Sequence, residues 1–164
     1  MNQITIKEAE KLNSPNPFAL LTSCSKEGKQ NVMAISWWTF ASNNPATVII
    51  CISSRGYTHT LIEENNEFAL CLPDESLKES AFLCGTKSGR DTEKADVFGI
   101  ELEKAEIIQP KLVKNSKVQM ECKVVNRIEV GDHLLFVGEA VCIHGDASAK
   151  HLLSENGYAK LNAY

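Results

Sequence analysis

A short segment rich in serine, arginine and glycine has the composition of an anion-binding site. Residues 53–56 read Ser-Ser-Arg-Gly, and they precede a predicted helix over residues 61–66. The first turn of a helix presents backbone N–H groups without intrahelical partners, and the helix dipole favours negative charge there. An arginine beside such a turn can hold a phosphate through two parallel hydrogen bonds. The same residues also allow a simpler interpretation, in which Thr58 or Thr60 caps the helix and Arg55 extends into solvent.

A second stretch, residues 31–40, alternates like a β-strand but is largely apolar on both faces. A period of two residues places Val32, Ala34, Ser36, Trp38 and Phe40 on one face and Met33, Ile35 and Trp37 on the other. Such a strand is expected in a closed barrel, beneath a helix or against another subunit, because neither face is suited to water. The small residues Ala34 and Ser36 leave room for a flat ligand among larger neighbours. They also fit a crowded barrel interior that binds no ligand.

Several common catalytic motifs are absent from the sequence. No two glycines are separated by a single residue, which excludes the Gly-x-Gly-x-x-Gly dinucleotide motif, and residues 85–89 lack the spacing of a P-loop. No Gly-x-Ser-x-Gly motif is present for a nucleophilic serine. The four histidines, which are His59, His133, His144 and His151, show no metal-ligand spacing. We therefore expect no metal site, and a hydrolase or metalloenzyme has little support.

The composition is that of a soluble globular protein with one domain. The chain has 164 residues, of which 43% are hydrophobic and 23% charged, and no linker or repeat divides residues 1–164. The net charge of −4 offers no basic surface, so nucleic acid and anionic membrane are not expected partners. No stretch is apolar over the ~20 residues of a membrane-spanning helix, and the N-terminal residues lack the apolar core of a signal peptide.

The six cysteines have the setting of buried, reduced thiols. They are Cys24, Cys51, Cys71, Cys84, Cys122 and Cys142. None belongs to a Cys-x-x-Cys pair, and most lie within apolar runs such as residues 48–52 and 68–72. Without a secretion signal, a disulfide framework is not expected. We expect reduced thiols in a cytoplasmic protein, with Cys84 as the thiol nearest to the surface.

The predicted elements that must position these segments are mostly strands. Strands are predicted over residues 18–24, 31–40, 46–53, 67–72, 101–108, 117–130 and 133–144. Short helices are predicted over residues 7–12, 61–66, 75–84 and 92–98, and the tail, residues 150–164, is predicted to be partly helical. Short polar turns favour a meander at the start, and a Gly-Asp turn joins the last two strands into a long hairpin. The sequence therefore predicts a mainly β domain with peripheral helices.

An ordered set of short motifs resembles the flavin reductase-like family with the FMN-binding split-barrel fold, particularly its flavoredoxin branch. The motifs are Asn31-Val-Met-Ala-Ile-Ser-Trp37, Ser54-Arg-Gly-Tyr-Thr58, Glu67-Phe68, Cys84-Gly-Thr-Lys-Ser-Gly-Arg-Asp-Thr-Glu-Lys94, Met120-Glu-Cys122, Gly131-Asp-His133 and Phe136-Val-Gly-Glu139. Each is weak alone, but together they occur in the order that the family shows. The resemblance implies a six-stranded Greek-key split barrel that works as a homodimer, with FMN near the subunit interface.

The resemblance also implies a set of cofactor-binding residues. The expected contacts to the flavin ring and ribityl chain are Asn31, Met33, Ala34, Ile35, Ser36 and Trp37. The segment expected to bind the phosphate supplies Ser53, Ser54, Arg55 and Thr58, which agrees with the anion site proposed from the residues themselves. The 84–94 segment supplies Ser88 and Lys94. The ammonium of Lys94 would stabilise negative charge on reduced flavin.

The function implied is an FMN-dependent oxidoreductase that passes electrons from a reduced donor to an acceptor such as free flavin or an iron protein. The donor is NAD(P)H or a redox protein. One alternative is a flavin-binding electron carrier without catalysis, and another is a split barrel that binds haem or another ligand. The sequence identifies no catalytic acid or base. His133, directly after the tight turn, is a candidate for a place near the donor site.

Overall fold

The computed structural model describes residues 1–164 and confirms a mainly β fold with peripheral helices. The helices are α1 (Ile6–Leu12), α2 (Tyr57–Asn65), α3 (Lys78–Cys84) and α4 (Lys94–Val97). The strands are β1 (Asn16–Pro17), β2 (Ala19–Cys24), β3 (Gln30–Ile35), β4 (Trp38–Asn43), β5 (Ala46–Ser53), β6 (Glu67–Pro73), β7 (Leu102–Glu103), β8 (Leu112–Val113), β9 (Ser116–Val130), β10 (His133–Gly145), β11 (Leu152–Glu155) and β12 (Lys160–Ala163). No helix is both long enough and apolar enough to span a membrane.

The main sheet closes into a barrel through the short gap between β3 and β4. Its strand order is β3-β2-β6-β9-β10-β5-β4, so β3 and β4 lie at opposite edges. Only Ser36 and Trp37 separate these two strands in the chain. Because three Cα–Cα steps span at most roughly 11 Å, the two edges must come together. Counted as one interrupted strand, β3 and β4 complete the six strands of the predicted barrel.

The predicted single strand over residues 31–40 is therefore broken, and the break reverses its alternation. Met33 and Ile35 pack in the barrel interior, and Trp38 joins them there. Trp37, which strict alternation would place beside Ile35, instead lies outside the barrel with 41% of its surface exposed. The backbone N–H of Cys51 donates to the carbonyl of Trp37 at 2.8 Å, which continues the β5 pairing into the gap. The prediction that Trp38 shares a face with Val32 is wrong.

Two hydrophobic clusters lie on the two sides of the barrel wall. The interior cluster contains Phe68 and Phe136, and Gly138 lies directly against the Phe68 ring, where a larger residue would collide. The second cluster lies outside the wall and packs Phe18 and Leu20 beneath α3 and the C-terminal strands. Both faces of β2 are thus buried, and each buried leucine stabilises the fold by about 1.5–3 kcal/mol. The part of the sheet that carries β3 is therefore packed against a hydrophobic cluster on each face.

Other predicted elements need correction. The tail, predicted to be partly helical, forms the β11–β12 hairpin, which pairs with β1 in a small sheet. Asn156 and Gly157 make its turn with φ values of 52° and 71°, a conformation that asparagine and glycine tolerate best. The strand predicted over 101–108 is limited to β7. The long hairpin of β9 and β10 forms as predicted.

Candidate functional site

Asn31 joins three segments that are far apart in the chain. Its side-chain amide donates to the hydroxyls of Ser23 at 3.2 Å and Thr58 at 3.1 Å. Gly89 lies against the amide oxygen of Asn31 so closely that a Cβ atom at position 89 would overlap it. Asn31 and Thr58 are both buried. The start of β3, the first turn of α2 and the loop that carries Ser88 therefore meet at one point, as the predicted site requires.

The first turn of α2 is not capped by a side chain. The helix starts at Tyr57, earlier than predicted, and its N-cap residue is Gly56. The two predicted caps are used elsewhere: Thr58 accepts from Asn31, and the Thr60 hydroxyl donates to the carbonyl of Tyr57 at 2.7 Å. The prediction of a threonine cap is therefore wrong. The first backbone N–H groups of α2 have no side-chain acceptor and are suited to an anion.

The Ser-Ser-Arg segment before α2 is anchored to the turn between β9 and β10. The hydroxyl and the backbone N–H of Ser54 both donate to the carbonyl of Asp132 at 3.0 Å. The Ser53 hydroxyl accepts from the backbone N–H of Arg55 at 3.3 Å. Arg55 is exposed, and its guanidinium forms no ion pair. The segment is thus fixed by its backbone while the arginine side chain stays available to a ligand.

Lys94 is a buried cation without a carboxylate partner. Only 5% of its surface is exposed, and its ammonium donates to the carbonyl of Cys84 at 3.2 Å. Burial lowers the pKa of Lys94, and the neighbouring Cys84 opposes that change only in part. An ammonium has three donors, and a buried charge is strongly unfavourable unless it is compensated. The surroundings of Lys94 therefore favour a ligand that carries negative charge.

The thiol of Cys84 connects Lys94 to the open edge of β3. Its Sγ donates to the carbonyl of Val32 at 3.4 Å. The expectation that Cys84 is the thiol nearest to the surface is wrong, because this last residue of α3 is only 1% exposed, and burial raises its pKa. β3 pairs with β2 along one side only, so its other side is an edge of the sheet. The 84–94 segment thus packs along β3, with Cys84 against Val32 and Gly89 against Asn31.

The predicted ring-contacting residues of β3 fall into two groups. Met33 and Ile35 pack in the barrel interior, so only their backbone atoms are available at the strand edge. Ala34 packs on the other side of the wall, against the second cluster. The Ser36 hydroxyl lies 3.0 Å from the hydroxyl of Ser154 on β11. Both small side chains therefore contact other parts of this chain, and room for a flat ligand beside them stays a prediction.

Trp37, in the gap between β3 and β4, stacks on His133. Their ring centroids are 4.8 Å apart with an interplanar angle of 29°. The indole N–H donates to the carboxylate of Glu10 at 2.8 Å, which fixes the ring from the side of α1. His133 Nδ1 lies 2.8 Å from Asp132 Oδ1, and this contact lowers the pKa of Asp132. The structure therefore places His133 beside a predicted site residue, which supports its candidacy.

One cavity is lined by Trp37 and another by His133, and neither encloses the whole set of predicted residues. One, of about 290 Å³, is lined by Ser36, Trp37 and Trp38 with Glu10 and Tyr158. The other, of about 260 Å³, is lined by Ser54, His59 and His133 among others. Both are smaller than the roughly 300–1,000 Å³ of a typical ligand pocket. The end of the site at Trp37 and His133 is thus an open platform, while a larger cavity of about 570 Å³ beside the start of β3 is lined by Gln30, Glu93 and Ala95 among others.

Sequence reasoning missed three residues that shape the site: Ser23, Gly89 and Glu10. Each acts by supporting a predicted residue through a contact between distant parts of the chain. A periodic pattern or a short motif carries no record of such contacts. Only Gly89 had a local signal, as a glycine in the polar 85–91 loop.

Comparison with protein families gives one match over most of the chain. The family model described as "Flavin reductase like domain" matches residues 12–162.

Relatives among curated proteins cover the chain to different extents. A protein of Archaeoglobus fulgidus is 35% identical over 120 residues, which are 73% of this chain and 68% of that protein. A protein of Pyrococcus abyssi is 33% identical over 111 residues, 68% of this chain and 63% of that protein. The NADH-dependent flavin reductase StyB of Pseudomonas fluorescens is 29% identical over 133 residues, 80% of this chain and 73% of StyB. The match to the Pyrococcus protein leaves more than a third of that protein uncovered.

Solved structures show the same fold at low sequence identity. The flavoredoxin of Desulfovibrio vulgaris (Miyazaki F) superposes with a TM-score of 0.86 and 20% identity, covering 100% of this chain and 93% of that one. An FMN-binding protein from Thermus thermophilus superposes with a TM-score of 0.84 and 18% identity, covering 99% of this chain and 93% of that one. This likeness confirms the split-barrel architecture.

Proposed function

We propose that this protein, which belongs to the flavin reductase-like family, is an oxidoreductase that uses bound FMN. It passes electrons from a reduced donor to an acceptor. Bound FMN supplies the redox chemistry, because its ring accepts hydride or electrons and releases them again. The residues of this chain supply binding, orientation and electrostatics.

The buried, uncompensated charge of Lys94 carries this proposal. Its ammonium makes one hydrogen bond, to the carbonyl of Cys84, and no ion pair. A flavin ring lying along the β3 edge would bring a partner whose negative charge increases on reduction. Coulomb attraction between the two then favours the reduced form of the cofactor. Lys94 thus acts on the redox equilibrium without taking part in a proton transfer.

The first turn of α2 and Arg55 support FMN as the flavin that this protein binds. FMN ends in one phosphate, and the first turn of α2 offers backbone N–H groups that no side chain caps. Arg55 lies directly before that turn, with a guanidinium that is free to form two parallel hydrogen bonds to the phosphate. Thr58 is held in the same turn by Asn31. The α2 start would therefore hold the phosphate, and β3, which Asn31 joins to that turn, would lie along the ring.

We propose a homodimer with the flavin near the interface, as the open platform of one chain suggests. Cys51, Leu135 and Ile128 lie side by side on β5, β10 and β9, on the outer face of the barrel. Ile128 and Val130 are 45% and 51% exposed, so apolar surface on this face faces solvent in the single chain. A second copy of the chain would cover this apolar surface. The face ends at Trp37 and His133, next to the two open cavities.

The donor is proposed to be NAD(P)H or a redox protein, with free flavin or an iron protein as acceptor. An anaerobic absorbance titration of the purified flavin-loaded protein with NADH and NADPH tests this. Bleaching of the flavin bands supports a nicotinamide-linked reductase. Bands that bleach only with dithionite would support the electron-carrier alternative. A protein that cannot be loaded with FMN would overturn the proposal and favour a different ligand.

A further inference from the structure

The far end of β10 holds three metal-ligating side chains that the flavin site does not use. Cys142 Sγ lies 3.2 Å from His144 Nε2, and the same nitrogen lies 3.2 Å from Glu106 Oε1. All three ligand atoms lie within 4.8 Å of one another. Cys142 and His144 are two residues apart on a strand and so share a face, while Glu106 comes from the segment between β7 and β8.

Buried hydrogen bonds hold Glu106 in this position. The carboxylate of Glu121, which is fully buried and pairs with Cys142 across the β9–β10 ladder, accepts three backbone N–H groups. These belong to Glu106, Ile107 and Ile108, at 2.9, 2.7 and 3.1 Å. The turn that presents Glu106 is therefore fixed by a charged group in the core. The backbone at Glu106 is therefore held beside Cys142 and His144, while the side chains of His144 and Glu106 are 45% and 64% exposed.

The Nε2 atom of His144 lies next to both the Cys142 thiol and the Glu106 carboxylate, and it can form a full hydrogen bond with only one of them. A neutral imidazole nitrogen has either one hydrogen or one lone pair, so Nε2 forms one full hydrogen bond, with the carboxylate or with the thiol. A cation between the three atoms would be bound by all of them. Zinc–ligand bonds of about 2.0–2.3 Å in tetrahedral geometry place ligand atoms roughly 3.4–3.6 Å apart. Two of the three distances here are 3.2 Å, and the third is within 4.8 Å.

We infer that Cys142, His144 and Glu106 form a binding site for a divalent transition metal of the zinc class. Sulfur, nitrogen and oxygen ligands together suit zinc, and three protein ligands leave a fourth position open to water. At roughly 3.3 Å per residue, Cys142 lies about 30 Å along β10 from His133, so this site is separate from the flavin site. It does not depend on the proposed function. A metal site was not expected from the sequence because the four histidines show no metal-ligand spacing, and Glu106 lies in a distant segment.

Zinc binding to the purified, flavin-loaded protein tests the inference, measured by calorimetric titration with Zn²⁺. We expect one ion per chain. Removal of a residue in the outer shell of a zinc site weakens metal affinity by about 10–100-fold, so Cys142→Ser and His144→Ala should each weaken it by at least about 100-fold. Glu106→Gln should weaken it by at least about tenfold. The matched controls are Cys51→Ser and His151→Ala, a half-buried thiol and a half-buried imidazole outside the cluster, and both should bind as the wild type does.

Cobalt gives an independent readout of the thiolate ligand. Co²⁺ bound through sulfur adds a charge-transfer band, which a difference spectrum separates from the flavin bands. The band should be present in the wild type and in Cys51→Ser and absent in Cys142→Ser. Circular dichroism checks that each variant is folded. The inference is overturned if the wild type binds no Zn²⁺, or if Cys142→Ser or His144→Ala retains an affinity within threefold of the wild type.

Discussion

Gly89 lies against the side-chain amide of Asn31 at a distance that no other residue type permits. This contact fixes the 85–93 loop to the start of β3, while the same amide holds the α2 start through Thr58. Any side chain at position 89 must displace either the loop or the amide. The contact thus couples the loop that leads to Lys94 with the segment proposed to bind the phosphate.

Gly89→Ala should weaken FMN binding and lower stability together. The new methyl group overlaps the Asn31 amide, and overpacking of this kind typically destabilises by about 1–3 kcal/mol. For a chain of this size, we expect Tm to fall by roughly 2–10 °C. Differential scanning calorimetry and a fluorescence titration with FMN measure the two effects. Gly145→Ala is the control, because its Cβ would lie 3.6 Å from the Lys117 carbonyl, an ordinary contact; an equal loss there would contradict the account.

Arg55→Ala should weaken the binding of FMN but not that of riboflavin. A charge-assisted hydrogen bond contributes about 1.5–3 kcal/mol, which corresponds to roughly 10–150-fold in Kd. Riboflavin lacks the phosphate, so its affinity should stay within about twofold of the wild-type value. Lys104→Ala removes the same charge from an exposed residue outside the site and should affect neither ligand. If Arg55→Ala weakens both ligands equally, Arg55 does not contact the phosphate.

The stability of the flavin-free protein should rise with pH through the titration of Lys94. Burial lowers the pKa of Lys94 in the folded state below its ordinary value of about 10.4. Between the lowered pKa and about 10.4, the unfolded chain binds the proton and the folded chain does not, so stability increases with pH. Below that window the charged, buried ammonium destabilises the fold. Lys94→Met removes this contribution.

Urea unfolding of the flavin-free wild type and of Lys94→Met at several pH values checks this prediction. The variant should be at least as stable as the wild type near neutral pH, and its advantage should shrink as pH rises toward 10. Comparison of the two proteins cancels the other groups that titrate in this range. An advantage that grows with pH would show that the ammonium is stabilised by the fold, and Lys94 would then need no anionic ligand.

Ile128→Asp should convert the proposed dimer to a monomer and weaken FMN binding. The substitution places a carboxylate in the centre of the apolar outer face, beside Leu135 and Cys51. Light scattering after size-exclusion chromatography reports the mass, and an FMN titration reports the affinity. Ile107→Asp is the matched control, because Ile107 is 52% exposed but lies outside this face. A dimeric Ile128→Asp protein would place the interface elsewhere.

The sequence predicted the parts of this molecule that rest on local patterns. The β9–β10 hairpin, the strand β2 and the helix after Arg55 follow from alternation and from the turn residues. The break at Ser36 and Trp37 was missed because an uninterrupted apolar run contains no local signal for a strand that changes partners. The C-terminal hairpin was missed although Asn156 and Gly157 mark its turn.

The predicted site residues likewise divide into those that a local pattern identifies and those whose position depends on long-range contacts. Asn31, Thr58 and the Ser88 loop do come together, but the contact that joins them is made by Gly89. The interior positions of Met33 and Ile35 depend on barrel closure, which involves residues at both ends of the sheet. The Glu106, Cys142 and His144 cluster depends on Glu121, a buried carboxylate on another strand. Long-range contacts of this kind leave no periodic trace in the sequence.

The reduction potential of bound FMN, measured in the wild type and in Lys94→Met, tests the central claim most directly. Removal of a cation near the ring should destabilise reduced flavin by about 1.4–4 kcal/mol, which lowers the two-electron potential by roughly 30–90 mV. Lys104→Met, which removes an exposed lysine, should leave the potential within about 10 mV of the wild type, because solvent screens exposed charges. An unchanged potential in Lys94→Met, or a wild-type protein that binds no FMN, would contradict the role assigned to this buried lysine.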